Sequence, residues 1–141
     1  MGKNWKPLNM ILRSGDQLAI NMGYYLKSKV ARRVSEKLND KTATIRDTQL
    51  SYRVVNNWES VGLIDNKRPS GKGWRKFSLM DAVWMKIIGE LRNFGFPLEK
   101  IKKTKASLNR AIKPDREGYP WLEFFVVSAL AYKHPVLILV F

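Results

Sequence analysis

Apolar residues at helical spacing alternate along this chain with short runs of glycine, proline and capping residues, a pattern that predicts a mainly α protein. From Asp16 the positions Leu18, Met22, Leu26, Val30, Val34 and Leu38 fall four apart, with Tyr25 on the same side, and predict an N-terminal helix. Lys27, Lys29, Arg32, Arg33 and Lys37 take its remaining surface. They read first as a solvated face and second as a source of phosphate contacts. Asn39 to Thr42 break the pattern. Thr42 or Thr44 can cap a short helix over 45–48, and Ser51 can cap the next, because a hydroxyl there accepts a free first-turn amide. In that helix Val54, Val55 and Trp58 point inward, leaving Tyr52, Arg53, Asn56 and Asn57 outside. Gly62 supplies a left-handed stop, after which Leu63 and Ile64 fold back onto the core.

Residues 65–76 read differently. Pro69, Gly71 and Gly73 punctuate them, and Lys67, Arg68, Lys72, Arg75 and Lys76 charge them, which predicts a basic hairpin. Ser78 and Asp81 then stand at capping-box spacing before a helix with Val83, Trp84, Ile87, Ile88 and Leu91 on its apolar side. Gly95 ends that helix, and Pro97 opens another with Leu98, Ile101, Leu108 and Ile112 inward and Lys100, Lys102, Lys103 and Lys105 outward. After the linker marked by Pro114, Gly118 and Pro120, Trp121 to Tyr132 reads as a buried helix, and Val136 to Phe141 as a strand.

A short helix with a polar front followed by a basic hairpin is the arrangement of a winged helix on DNA. The expected fold is therefore a winged helix-turn-helix with a small β-hairpin wing, plus an N-terminal helix and a C-terminal helix-strand appendage. The expected division is a basic arm and helix over 1–41, the winged helix over 42–112, and an apolar segment over 113–141.

Charge sharpens this. The 141 residues hold 26 lysines and arginines against 12 acids, a net charge of +14. All of that excess lies before residue 113, since bases and acids balance beyond it. A polyanion is the natural partner of such a surface, nucleic acid before an acidic membrane. Hydrophobic residues make up 45% of the chain, enough for a core. Cysteine is absent, which excludes disulfides, thiolate metal sites and cysteine nucleophiles and suits a reducing cytoplasm. The apolar run Met10 to Leu12 is too short for a signal-peptide core. Trp121 to Phe141, the sole candidate membrane span, carries Glu123, Lys133, His134 and Pro135, which argues against spanning.

Several of these residues stand in the order and spacing of a known family. Ser51 opens the helix that closes on Trp58-Glu59-Ser60-Val61-Gly62-Leu63-Ile64, and Arg68 with Gly73-Trp74-Arg75-Lys76-Phe77 follows. Met80-Asp81-Ala82-Val83 and then Leu91-Arg92-Asn93-Phe94-Gly95-Phe96-Pro97-Leu98 complete the run. Over about residues 43–105 the chain resembles the DNA-binding domain of the MerR family of transcription regulators. The resemblance implies a winged helix-turn-helix followed by two helices. It implies Tyr52 and Arg53 near base edges or phosphates, and Arg68 and Arg75 on phosphates at the wing. Trp58, Trp74 and Phe77 are implied as packing residues that aim those contacts. The chain departs from the pattern at Asn56-Asn57, where many members carry arginine-tyrosine; an outward asparagine can instead pair with adenine. No heptads follow Pro114, so the long coiled coil through which members usually dimerise is not implied.

Catalytic chemistry finds little footing. His134 is the one histidine, so a multi-histidine metal site within one chain is excluded. Gly71-Lys72-Gly73 is too short for a nucleotide-binding phosphate loop. The expectation is a non-enzyme without cofactor or metal, a bacterial, nucleoid-associated regulator that binds double-stranded DNA as a homodimer. Its candidate contacts are Ser51, Tyr52, Arg53, Asn56, Asn57, Arg68, Lys72, Trp74, Arg75 and Lys76. The competing expectation is an assembly module that uses the apolar C-terminal segment, on a winged-helix scaffold, to pair with another chain.

Overall fold

The computed structural model describes residues 29–65, 73–110, 120–133 and 135–136. Six helices appear among them: α1 (Lys29–Asn39), α2 (Ile45–Thr48), α3 (Tyr52–Ser60), α4 (Leu79–Asn93), α5 (Leu98–Asn109) and α6 (Trp121–Tyr132). Residues 66–72 of the expected hairpin, with Arg68 and Lys72, lie outside the described residues. So do the expected helix before Lys29, Ile112, and the strand beyond Val136.

Local chemistry sets most helix ends. Asp47 Oδ2 accepts from the Thr44 amide (2.6 Å) and hydroxyl (2.9 Å), closing the start of α2. Those two bonds, the amide first, hold the Asp47 carboxyl below the usual carboxylate range. The turn to α3 passes through Gln49 at φ +59°, a left-handed residue with no glycine to mark it. Ser51 Oγ accepts from the Val54 amide (3.3 Å) and starts α3. Gly62, at φ +78°, ends it as expected: the Leu63 amide donates to Trp58 O (2.8 Å) and the Gly62 amide to Glu59 O (3.0 Å). These are the paired bonds of a Schellman motif, and they return Leu63 to the core beside Trp58. α4 begins in a reciprocal capping box, Ser78 N–H to Asp81 Oδ2 (2.9 Å) and Asp81 N–H to Ser78 Oγ (3.0 Å).

The core is continuous. Val55 and Trp58 of α3 join Leu63, Ile64 and Phe77, and Trp84, Met85 and Ile88 of α4 pack with them. Ala31 and Leu38 of α1, Ile101 and Leu108 of α5, and Leu122, Phe124 and Val127 of α6 belong to the same cluster. α1 and α5 each pack on α4, and α6 on α5. All three expected segments thus contribute to one core. Glu123, only 2% exposed, shows how: its Oε2 accepts from Ser35 Oγ and from Asn39 Nδ2, both at 3.1 Å, tying α6 to α1. A buried carboxylate is tolerated only with such donors.

The expected wing sheet is not found among the described residues, where an isolated antiparallel bridge pairs Ala43 with Phe77. In it Ala43 N–H donates to Phe77 O (2.9 Å) and Phe77 N–H to Ala43 O (2.7 Å). That bridge joins the entry to α2 with the limb that leads into α4. No described helix is long and apolar enough to cross a membrane.

Candidate nucleic-acid interface

The apolar side of α3 fixes which residues face out. With Val55 and Trp58 buried and Val54 half-buried, Tyr52, Arg53, Asn56 and Asn57 must take the opposite side, and all four are exposed. Tyr52 and Asn56 stand one turn apart, and Glu59 follows one turn further, so the three form a stripe along the helix.

Arg75 lies across that stripe. Its Nη2 pairs with Glu59 Oε2, its Nη1 donates to Asn56 Oδ1, and its guanidinium carbon stands 5.1 Å from the centre of the Tyr52 ring. The Arg75 and Glu59 side chains are only 11% and 15% exposed. One guanidinium therefore holds an acid, an amide and an aromatic face of α3 from the limb that leads into α4, a use that suits its planar fork and diffuse charge. Among the described residues Glu59 Oε1 and Arg75 Nε have no hydrogen-bond partner, so the pair is joined at one point rather than bidentate.

On either side of Arg75 the limb is open. Lys76 is exposed, and Trp74 is 93% exposed. The packing role expected of Trp74 is corrected by this: Trp58 and Phe77 are buried, but the indole of Trp74 meets solvent. Gly73 before it takes φ +109°, a backbone that turns the chain as only glycine does freely.

The far end of α3 is equally fixed. Trp84 Nε1 donates to Leu63 O (2.8 Å) in the interior, pinning the turn after α3 to α4. Lys105 Nζ reaches Asp65 Oδ1 (3.1 Å) from α5. That lysine, expected with its neighbours on the outward side, is largely covered and ties α5 to the segment after α3.

Sequence reasoning put Tyr52, Arg53, Asn56, Asn57, Trp74, Arg75 and Lys76 on one candidate surface, and Arg75 physically joins Tyr52 and Asn56 there. It missed Glu59 as the residue that holds Arg75. The signal was present, an acid seven residues after Tyr52 on the same stripe, but its partner is 16 positions away.

Residues 42–108 match the family model described as MerR HTH family regulatory protein. Residues 42–108 belong to the MerR helix-turn-helix family. Members of that family are transcription regulators that bind double-stranded DNA. The MerR segment holds α2 to α5 and the Ala43–Phe77 bridge, whereas α1 and α6 pack onto it from outside the match. No curated protein and no solved structure matches the chain. Among the described residues no group of three or more histidines, cysteines or acids is placed to hold a metal.

Proposed function

We propose that the chain is a sequence-specific regulator that lays α3 in the major groove and its basic wing along the neighbouring backbone. The observation that carries this is the Arg75 junction. An outward face of arginine, tyrosine and amides is of little use for reading bases unless its angle to the backbone contacts is fixed. Arg75 supplies that constraint, with Glu59 as its anchor.

In this reading the roles divide by exposure. Arg53 and Asn57, exposed on α3, address base edges, together with Asn56. Tyr52 adds an aromatic edge and a phenol. Lys76 and Trp74, with Arg68 and Lys72 in the hairpin, lie against phosphate and sugar, where cations release counterions from the duplex. Ser51 acts through its cap, its hydroxyl accepting from the Val54 amide at the start of α3. Arg75, assigned to a phosphate by the resemblance, acts here by positioning.

A regulator of this kind reads a two-fold site as a homodimer, inside a bacterial cell and associated with the nucleoid, and performs no catalysis. Selection of bound duplexes from a random pool tests the reading. An enriched motif with two-fold symmetry supports it; recovery of unenriched duplexes removes it.

A further inference from the structure

The Asn56 amide is not free to read as an ordinary asparagine. Its Oδ1 accepts from Arg75 Nη1. An arginine has only donors, so the amide atom that meets it must be the oxygen, and this fixes which way the amide faces. Nδ2, with two hydrogens, is left without a partner among the described residues. Arg75 cannot readily turn away, because its other terminal nitrogen is held by Glu59 and its plane lies near the Tyr52 ring.

The geometry points to a specificity rule: Arg75 makes Asn56 a donor-only reader, so that α3 selects guanine rather than adenine at the base pair Asn56 faces. This rests on the DNA reading proposed above. Adenine recognition by an asparagine needs both amide atoms, Oδ1 for the N6 amino group and Nδ2 for N7. Here Oδ1 is committed. The oxygen keeps a second lone pair. A base amino group using it would bring its own hydrogens up against the guanidinium. Guanine presents N7 and O6, both acceptors, and meets hydrogens alone. The same local field disfavours cytosine, whose major-groove edge offers an amino donor. Asn57, one residue on, has no such partner among the described residues and retains both amide functions there.

Duplex selection with the full chain and three variants tests the rule. The base pair read by residue 56 is the one whose preference disappears in Asn56→Ala, with a loss of roughly tenfold in discrimination there. The wild-type chain is expected to select guanine at that pair. Asn56→Asp keeps an oxygen for Arg75, so the wing stays anchored, but it replaces the donor with an acceptor. Its preference is expected to move from guanine to cytosine. Arg75→Met releases the oxygen and is expected to admit adenine, provided its thermal unfolding remains cooperative. Adenine at the mapped pair in the wild type overturns the rule, as does retained guanine in Asn56→Asp or an Asn56→Ala profile unchanged at every position. In each of those cases a wild-type motif would still stand, and the DNA reading with it. Failure of the wild-type chain to enrich any sequence would remove the reading itself.

Discussion

Arg75 and Glu59 form an ion pair that clamps the limb leading into α4 to the last turn of α3, with both side chains largely out of solvent. Exposed pairs contribute little to stability, but removing one partner of a shielded pair leaves the other charge uncompensated. Glu59→Met is therefore expected to destabilise the fold by about 2 kcal/mol. The double variant Glu59→Met, Arg75→Met is expected to lose less than the two single changes combined. Urea unfolding of the four proteins checks this; strictly additive losses would mean that the pair holds nothing.

Arg53 and Lys76 are both exposed cations, but they stand on different elements. Arg53→Ala is expected to cost about 1–3 kcal/mol on the selected duplex and far less on random DNA, because a base contact is lost. Lys76→Ala is expected to weaken both duplexes alike and to lower the salt slope by about one unit. Titrations at several salt concentrations separate the two. Equal losses on specific and random DNA for both variants would take base reading away from Arg53.

What the sequence disclosed follows from how far each interaction reaches. Ser51, Gly62, the Ser78–Asp81 box and Gly95 were legible because each cap is satisfied within a few residues of itself. The inward set of α3 was legible because helical periodicity fixes it. Gln49 was not, since a left-handed glutamine has no compositional mark. The packing role given to Trp74 failed because an aromatic beside a glycine reads as packing until the fold shows its ring exposed. Glu123 looked like an interruption in an apolar helix, and its donors, Ser35 and Asn39, lie more than 80 residues away. The Arg75 junction is of the same kind. Only docking of the limb before α4 on α3 brings its partners together.

The turn after α3 depends on one interior bond, Trp84 Nε1 to Leu63 O. Trp84→Phe keeps most of the apolar volume and removes the donor, leaving a buried carbonyl unpaired. It is expected to cost about 1–3 kcal/mol and to raise hydrogen exchange at Leu63 and Ile64. Unchanged stability with unchanged exchange would show that water replaces the indole.

Acid should loosen α2 through Asp47. Its carboxyl is held below the usual range by the Thr44 amide and then the Thr44 hydroxyl. A group whose folded pKa is lowered adds stability above its unfolded pKa and loses it as pH falls through the folded value. The Asp47 carboxyl is therefore expected to titrate below an unstructured aspartate, with the Thr44 amide shift following the same curve. A carbon-detected acid titration reads both. Titration in the ordinary range would place Asp47 outside the capping box in solution.

The most direct measurement is amide and side-chain shift mapping of the labelled chain as a selected duplex is added. The largest changes are expected at Tyr52, Arg53, Asn56 and Asn57, at the Trp74 indole and at Lys76, with little at Phe94 or Leu130 on surfaces away from them. Silence along α3, with the changes gathered on α5 or α6 instead, would contradict a recognition helix braced by its wing.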